Sequence, residues 1–331
     1  MKILLVKLSS LGDVVHTLPV VQDILAAMPD AQIDWVIEKA FAPLLTQVNG
    51  LQRIIACELR RWRQSFWTAQ TRREWRAFKT DLQTTNYDAV IDLQGLTKSA
   101  LVSRLAKLTN HGKRYAMANQ TEGSSYEALT RWVADVAIAQ ELHIHAVVRA
   151  RSLAAIALGY DSKNGKFSLN YGLNRPVAKV KRALAAPKNI VFIHGTSRQD
   201  KTWPLQNWVA LGQRFAKCEW RVVLVHGNAR ELLTSQAIAA QLGDNSVVLP
   251  LLSLAELTQE LAACHGAIGV DSGVSHIAVA LGLPHVQIYN FDTAWRTGPF
   301  GCAHQVSVFG QPSPTVDAVW SAWLTCESAA S

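Results

Sequence analysis

Three short polar runs hold the residues whose types and order could do chemistry. The first is Leu8-Ser9-Ser10-Leu11-Gly12-Asp13, which follows an apolar stretch and offers one carboxylate, Asp13. An aspartate in a first helical turn is a favoured cap; held beside a substrate hydroxyl, it is a general base. The second run is His194-Gly195-Thr196-Ser197-Arg198-Gln199-Asp200-Lys201. Its small residues offer amides and hydroxyls, and Lys201 adds a mobile point charge, a combination suited to a diphosphate. The third is Val270-Asp271-Ser272-Gly273-Val274-Ser275-His276, an apolar strand turning sharply into a helix. Free amides at that helix start attract an anion, and Gly273 lets a phosphate approach the backbone closely. Asp271 has the phosphate's own sign, so it is expected to meet a sugar or to orient Lys201 or a turn amide. Glu231, after Gly227-Asn228-Ala229-Arg230, has two readings: an acceptor for ribose hydroxyls, or a plain first-turn helix glutamate.

Other chemistries lack their residues. No Gly-x-Gly-x-x-Gly follows the first strand of either half, and no Walker lysine motif occurs, which argues against a nicotinamide site or a P-loop. There is no Asp-x-Asp pair, no cysteine–histidine dyad and no nucleophile elbow, and Cys57, Cys218, Cys264, Cys302 and Cys326 lack metal-ligand spacing. No metal and no cofactor are therefore expected; cationic side chains and amides must neutralise a leaving phosphate.

Composition sets the class. The chain has 331 residues, 49% hydrophobic and 18% charged, too many for one comfortable core and ordinary for a globular protein. No apolar stretch is long enough to span a bilayer, and the apolar start (residues 2–8) reads as a strand, so the cytosol is the expected compartment. The scattered, odd-numbered cysteines read as reduced thiols. A net charge of +8 implies an anionic partner, and Arg60, Arg61, Arg63, Arg72, Arg73 and Arg76 fall within seventeen positions, interleaved with Trp62, Trp67 and Trp75. The plainer alternative is a solvated basic face.

Behind these runs, strand and helix patterns alternate. Strands are predicted over residues 2–8, 32–37, 87–93, 189–194, 221–226, 247–249, 267–270 and 285–289. Helices are predicted over 13–28, 69–82, 125–139, 205–215, 230–242 and 254–263, with shorter ones near 41–48 and from 97. Such a series builds mostly parallel sheets covered by helices. The rhythm falters in the polar stretch at 161–165 and restarts, so the fold class is α/β with two doubly wound domains facing a central cleft, the default ligand site. Expected boundaries are 1–160 for an acceptor-binding domain, 161–187 for a linker and crossover, and 188–312 for a donor-binding domain. The last segment, 313–331, is expected to be a helix packing back toward the first domain.

Five runs in order, residues 7–19, 60–63 (Arg-Arg-Trp-Arg), 92–99 (Asp-Leu-Gln-Gly-Leu-Thr-Lys-Ser), 200–204 (Asp-Lys-Thr-Trp-Pro) and 270–276, resemble the bacterial lipopolysaccharide heptosyltransferases along essentially the whole chain. The resemblance implies a GT-B architecture and transfer of heptose from ADP-L-glycero-β-D-manno-heptose to the first Kdo of Kdo2-lipid A, with inversion. It assigns Asp13 as base and Lys201 as the diphosphate lysine, the two catalytic positions. Thr196, Ser197, Glu231, Asp271, Ser272, Gly273 and His276 fall to the donor. Ser9, Ser10, Gly12, Arg60, Arg61, Arg63, Gln94 and Lys98 fall to the acceptor. It further implies a monomer without nucleic-acid partners, peripheral on the cytoplasmic face of the inner membrane. The segment 119–124 departs from the family, having Glu122 and small residues where an arginine commonly meets the acceptor. Two alternatives remain: another nucleotide-sugar GT-B enzyme, such as a later-step heptosyltransferase or an epimerase, and a non-enzymatic basic binder of anionic lipid or RNA.

Overall fold

The computed structural model describes residues 1–161, 168–173 and 188–330, in two compact units, Met1–Gly172 and Leu173–Ser331. Most of the expected linker, 161–187, lies outside the described residues. The first unit runs past the expected boundary at 160, because the Gly172 carbonyl accepts the Asn49 amide at 3.0 Å and fixes that segment to the first fold.

The first unit is built from β1 (Lys2–Val6), α1 (Leu11–Thr17), α2 (Pro19–Ala27), β2 (Gln32–Glu38), α3 (Ala42–Leu45), β3 (Arg53–Cys57), α4 (Leu59–Gln64) and α5 (Ala69–Leu82). It continues through β4 (Asn86–Asp92), α6 (Thr97–Leu105), β5 (Lys107–Met117), β6 (Val136–Ile138) and α7 (Ala146–Leu158). All strands are parallel, in the order β3-β2-β1-β4-β5-β6. Ile3, Leu4, Leu5 and Val6 are wholly buried, as a central strand covered on both faces requires. From β1 the chain winds outward to β2 and β3, then returns to the far side of β1 to form β4. The gap beyond the carboxyl ends of β1 and β4 is thus the topological switch point, where open α/β sheets bind ligands.

The second unit has β7 (Lys188–Ile193), α8 (Leu205–Lys217), β8 (Trp220–Leu224), α9 (Ala229–Leu242), β9 (Ser246–Val248) and α10 (Leu254–Ala263). After these come β10 (Gly266–Val270), α11 (Gly273–Ala280), β11 (His285–Tyr289), α12 (Ala294–Thr297), β12 (Gln305–Phe309) and α13 (Val316–Ala330). Its parallel order, β12-β11-β10-β7-β8-β9, repeats the first sheet when counted from β7. Its switch point therefore lies between β7 and β10, the strands that feed the second and third polar runs.

Three expectations change. The helix predicted over 13–28 is two helices, because Pro19 has no N–H to continue α1 and instead opens α2. The helix predicted over 125–139 is a 3-10 turn at Ala128–Trp132 followed by β6; Leu129 and Trp132, whose spacing mimics a helical stripe, face solvent. The C-terminal helix α13, expected to pack back toward the first domain, buries Val319, Trp323 and Cys326 in the second unit's own core. There the Trp323 ring stands edge-on to Trp220 and Phe215, with centroids at 5.4 and 5.5 Å. It also fills the space where a Cβ on Gly266 would lie, 2.2 Å from the nearest ring carbon. Trp323→Ala is expected to destabilise this unit by about 3–5 kcal/mol, the usual cost of emptying a buried aromatic site. A shifted urea transition would show it, and an unchanged midpoint would mean that α13 is not part of this core.

Candidate active site

The first cluster occupies the switch point of the first sheet. Gln94 Oε1 accepts the amides of Leu8 (3.0 Å) and Ser9 (3.1 Å), tying the loop after β4 to the loop after β1. Lys98 Nζ donates to Ser9 Oγ at 2.7 Å. Behind them Asp92 is buried and accepts the Gln94 and Gly95 amides and the Ser99 hydroxyl, at 2.9, 3.1 and 2.9 Å. Burial lifts its pKa to about 6 in spite of those bonds. Asp92 thus holds the β4 loop in shape.

Asp13 sits in the first turn of α1, directly after Gly12. Its Oδ2 accepts the Ser10 amide at 3.1 Å and the Ser10 hydroxyl at 2.7 Å, while Oδ1 faces Lys7 Nζ at 3.9 Å. The candidate base is therefore also the capping-box partner of Ser10, the N-cap of α1, and is held by its own helix start. Asp13 stays 39% exposed at the side chain, whereas Lys7 is buried at 4% and donates to the Leu93 carbonyl at 2.9 Å. Burial alone would raise the Asp13 pKa; Lys7, the Ser10 bonds and His16 together outweigh it and bring the pKa to about 2. The Lys7 pKa moves down because burial disfavours the ammonium, with Arg149 and Lys98 adding to that against the pull of Asp13 and Asp92. Asp13 is consequently ionised at neutral pH and accessible to a substrate.

The basic run divides on inspection. Arg60 and Arg63 are exposed on α4, but Arg61 is engaged by Glu58 at 2.8 Å and by Glu74. Trp62 is buried and donates from Nε1 to Glu74 at 2.8 Å. Arg61 and Trp62 thus hold the α4–α5 hairpin together, leaving Arg60 and Arg63 as the outward cations of the predicted trio.

The second cluster occupies the other switch point. Asp271, directly after β10, is buried, with Oδ2 at 2.5 Å from Lys201 Nζ and Oδ1 at 3.4 Å from His276 Nε2. Burial would raise its pKa, but His276 and Lys201 hold the carboxyl well below the usual range. Thr196 Oγ1 donates to the Asp271 carbonyl at 3.4 Å, joining the loops after β7 and β10. Ser272 caps α11 by accepting the Ser275 amide at 3.4 Å, and Gly273 opens that helix. Ser197 is exposed on the same loop as Lys201, and Arg198 is taken up by Asp200. Glu231 accepts the Gly227 amide at 2.7 Å, and its carboxyl carbon would lie 2.6 Å from a Cβ on Gly195, so it lies against the β7 loop. A cavity of about 480 Å³ opens beside it, lined by Thr196, Ser197, Trp203, Asn228 and Glu231 among others. His194, at the end of β7, has its pKa lowered to about 4 by burial, with His226 adding.

The predicted site residues therefore fall into two clusters, one in each unit, with Arg60, Arg61 and Arg63 on the neighbouring hairpin. Lys7, Asp92 and Gln287 also belong to these clusters, although the sequence alone assigns them no role. Gln287 Nε2 lies 3.5 Å from Asp271 Oδ1 and donates to Tyr289 Oη at 2.9 Å. Their signal is a polar residue inside an otherwise apolar strand or at its end. Among the described residues, no group of three or more His, Cys, Asp or Glu side chains is placed to share a metal ion.

If Lys7 holds Asp13 in its ionised state, Lys7→Met should move the Asp13 midpoint upward from about 2 toward the ordinary 3.8 in a carboxyl NMR titration. Because the folded-state pKa is the lower one, the Asp13 contribution to stability is present above pH 3.8 and is lost as the pH falls toward 2. An unmoved midpoint in the variant would remove Lys7 from this role.

Two doubly wound sheets, one presenting an ionised carboxylate and the other a cation-bearing anion loop at its switch point, define a two-domain α/β transferase of GT-B type. Residues 75–319 match the model of glycosyltransferase family 9 (heptosyltransferase), and the chain belongs to that family of glycosyltransferases. It is 37% identical over 307 residues to lipopolysaccharide heptosyltransferase 1 of Pseudomonas aeruginosa, covering 91% of this chain and 82% of that protein. Its fold is similar to that of the Escherichia coli heptosyltransferase WaaC with ADP, at a TM-score of 0.86 and 32% identity, covering 97% and 98% of the two chains. The structure of WaaC with ADP-2-deoxy-2-fluoro heptose gives 0.81 and 31%, with the same coverage.

Proposed function

We propose that this chain transfers L-glycero-D-manno-heptose from ADP-heptose to the first Kdo of Kdo2-lipid A, inverting the anomeric centre in one displacement. The observation that carries the reading is Asp13: an accessible, ionised carboxylate at a switch point, aimed by Ser10 and Lys7. In the proposed step Asp13 takes the proton of the acceptor hydroxyl as that oxygen bonds to the anomeric carbon. The bond from that carbon to the ADP oxygen breaks on the opposite face, and its electron pair leaves with the diphosphate. Lys201, the Thr196 and Ser197 hydroxyls and the amides at the start of α11 stabilise the growing negative charge. No general acid is needed, because ADP leaves as an anion. Asp271 and His276 orient Lys201 and the turn, and Glu231 is assigned to the ribose.

On the acceptor side, Ser9, Ser10, Gly12, Gln94 and Lys98 frame Asp13, and Arg60 and Arg63 meet the acceptor's carboxylates and phosphates. Arg61 supports them through the hairpin. Lipid A is membrane-bound, so the enzyme works as a peripheral protein on the cytoplasmic face; no described helix is long and apolar enough to cross a membrane. A family 9 enzyme acting at a later core step is the second reading, and acceptor choice decides between the two.

The test is ADP release from ADP-heptose with Kdo2-lipid A, with a heptosylated acceptor, and with none. Release dependent on Kdo2-lipid A is expected. Asp13→Asn should lower turnover by roughly a hundredfold or more while ADP affinity is kept. Preference for the heptosylated acceptor, or full turnover in the variant, would overturn the assignment.

A further inference from the structure

The α4–α5 hairpin has features that the transfer chemistry leaves unused. Its interior is firmly tied: Trp62 packs edge-on to Trp75 at 5.8 Å, Arg61 bridges Glu58 and Glu74, and the Ser65 and Thr71 hydroxyls lie 2.9 Å apart. At the tip of this hairpin Phe66 and Trp67 stand side by side in solvent, 49% and 88% exposed. Arg72 donates from Nη2 to the Trp67 carbonyl at 3.1 Å, holding the tip from behind. Arg63, Arg73 and Arg76 are exposed on the same two helices. Large aromatic rings normally bury most of their surface, so a rigid element that presents two of them to water marks a contact surface.

The hairpin also stands at the functional edge of its sheet. It leaves β3 at that strand's carboxyl end, and the Arg60 amide donates to Glu38 at the carboxyl end of β2, at 3.4 Å. The same edge carries Ser9 and Asp13. A second exposed pair, Leu129 and Trp132 with Arg131, occurs in the 3-10 turn; the preceding Glu127 accepts the Thr97 amide at the start of α6, at 2.7 Å, which puts this turn on that edge too.

We infer that the Phe66–Trp67 tip seats in the headgroup region of an anionic phospholipid bilayer, with Arg72, Arg73 and Arg76 meeting the lipid phosphates. Tryptophan favours that boundary, where its ring leaves water without entering hydrocarbon, and arginine is drawn by the surface charge. A second copy of the chain fits poorly, because an isologous contact would set the same arginines against each other. Single-stranded nucleic acid needs parallel faces for its bases, whereas the two rings stand 80° apart. The inference rests on the proposed transfer only for its purpose, which is to keep the acceptor edge near a membrane-held substrate.

The experiment cosediments the full chain, without either substrate, with vesicles of phosphatidylcholine alone or mixed with phosphatidylglycerol. Binding to the mixed vesicles alone is expected. Phe66→Ser with Trp67→Ser should cut partitioning about tenfold, and Arg72→Gln, Arg73→Gln and Arg76→Gln together about a hundredfold at physiological salt, near fivefold per charge. Both variants should retain ADP affinity, which reports an intact fold. Equal partitioning of wild type and the aromatic variant would overturn the inference, as would no vesicle binding. Loss by the aromatic variant of RNA binding or self-association, in place of lipid binding, would overturn it too. Tip-dependent vesicle binding in a protein inactive toward ADP-heptose would uphold the anchor and overturn the transfer reading.

Discussion

A charge taken out of water must meet a counter-charge, and in both units that constraint shapes the ends of the central strands. The buried lengths of β1 (residues 3–6) and β10 (Gly266–Val270) carry no ionisable side chain, and such groups follow directly beyond their carboxyl ends. Lys7 is the clearest case. Its buried ammonium faces the Asp13 carboxylate on one side and donates to the Leu93 carbonyl on the other, which fixes the loops after β1 and β4 relative to each other. Losing Asp13 would take away the nearest counter-charge of a buried ammonium. The position of the candidate base is thus a consequence of how the strand ends.

The two clusters solve the same electrostatic problem in opposite senses. In the first, the cation is buried and the carboxylate is half-open to solvent, an arrangement that presents a proton acceptor. In the second, Asp271 is buried at 6% while the Lys201 side chain is 19% exposed. That arrangement presents a positive charge and keeps the carboxylate behind it. An arriving diphosphate would meet Lys201, the hydroxyls of Thr196 and Ser197 and the amides of α11, with Asp271 and His276 as the rear support. One strand order, used twice, therefore presents a carboxylate at one switch point and an ammonium at the other.

Much of this was legible in the residues. Strands 285–289 and 267–270 and helices 69–82 and 254–263 announced themselves by strong apolar patterning, and the three polar runs marked the strand ends that matter. β3, β5 and β12 were not legible: β3 and β12 are five-residue edge strands that need no continuous apolar run, and β5 is dominated by polar residues, Lys107, Thr109, Asn110, His111, Lys113 and Arg114. The false helix at 125–139 arose from apolar residues at helical spacing that face solvent. Arg61 and Arg63 look alike in the sequence, yet only the fold brings Glu58 and Glu74 to Arg61. The role of Lys7 was hidden for the same reason, since its partner Asp13 is set by the turn through Ser9 and Ser10.

The central claim is that the second cluster is a diphosphate site whose working charge is Lys201. Calorimetric binding of ADP and of adenosine to wild type and Lys201→Met tests it most directly. Loss of one charge-assisted contact should weaken ADP by roughly ten- to a hundredfold, with adenosine affinity unchanged. Equal loss for both ligands, or no loss for ADP, would contradict the account.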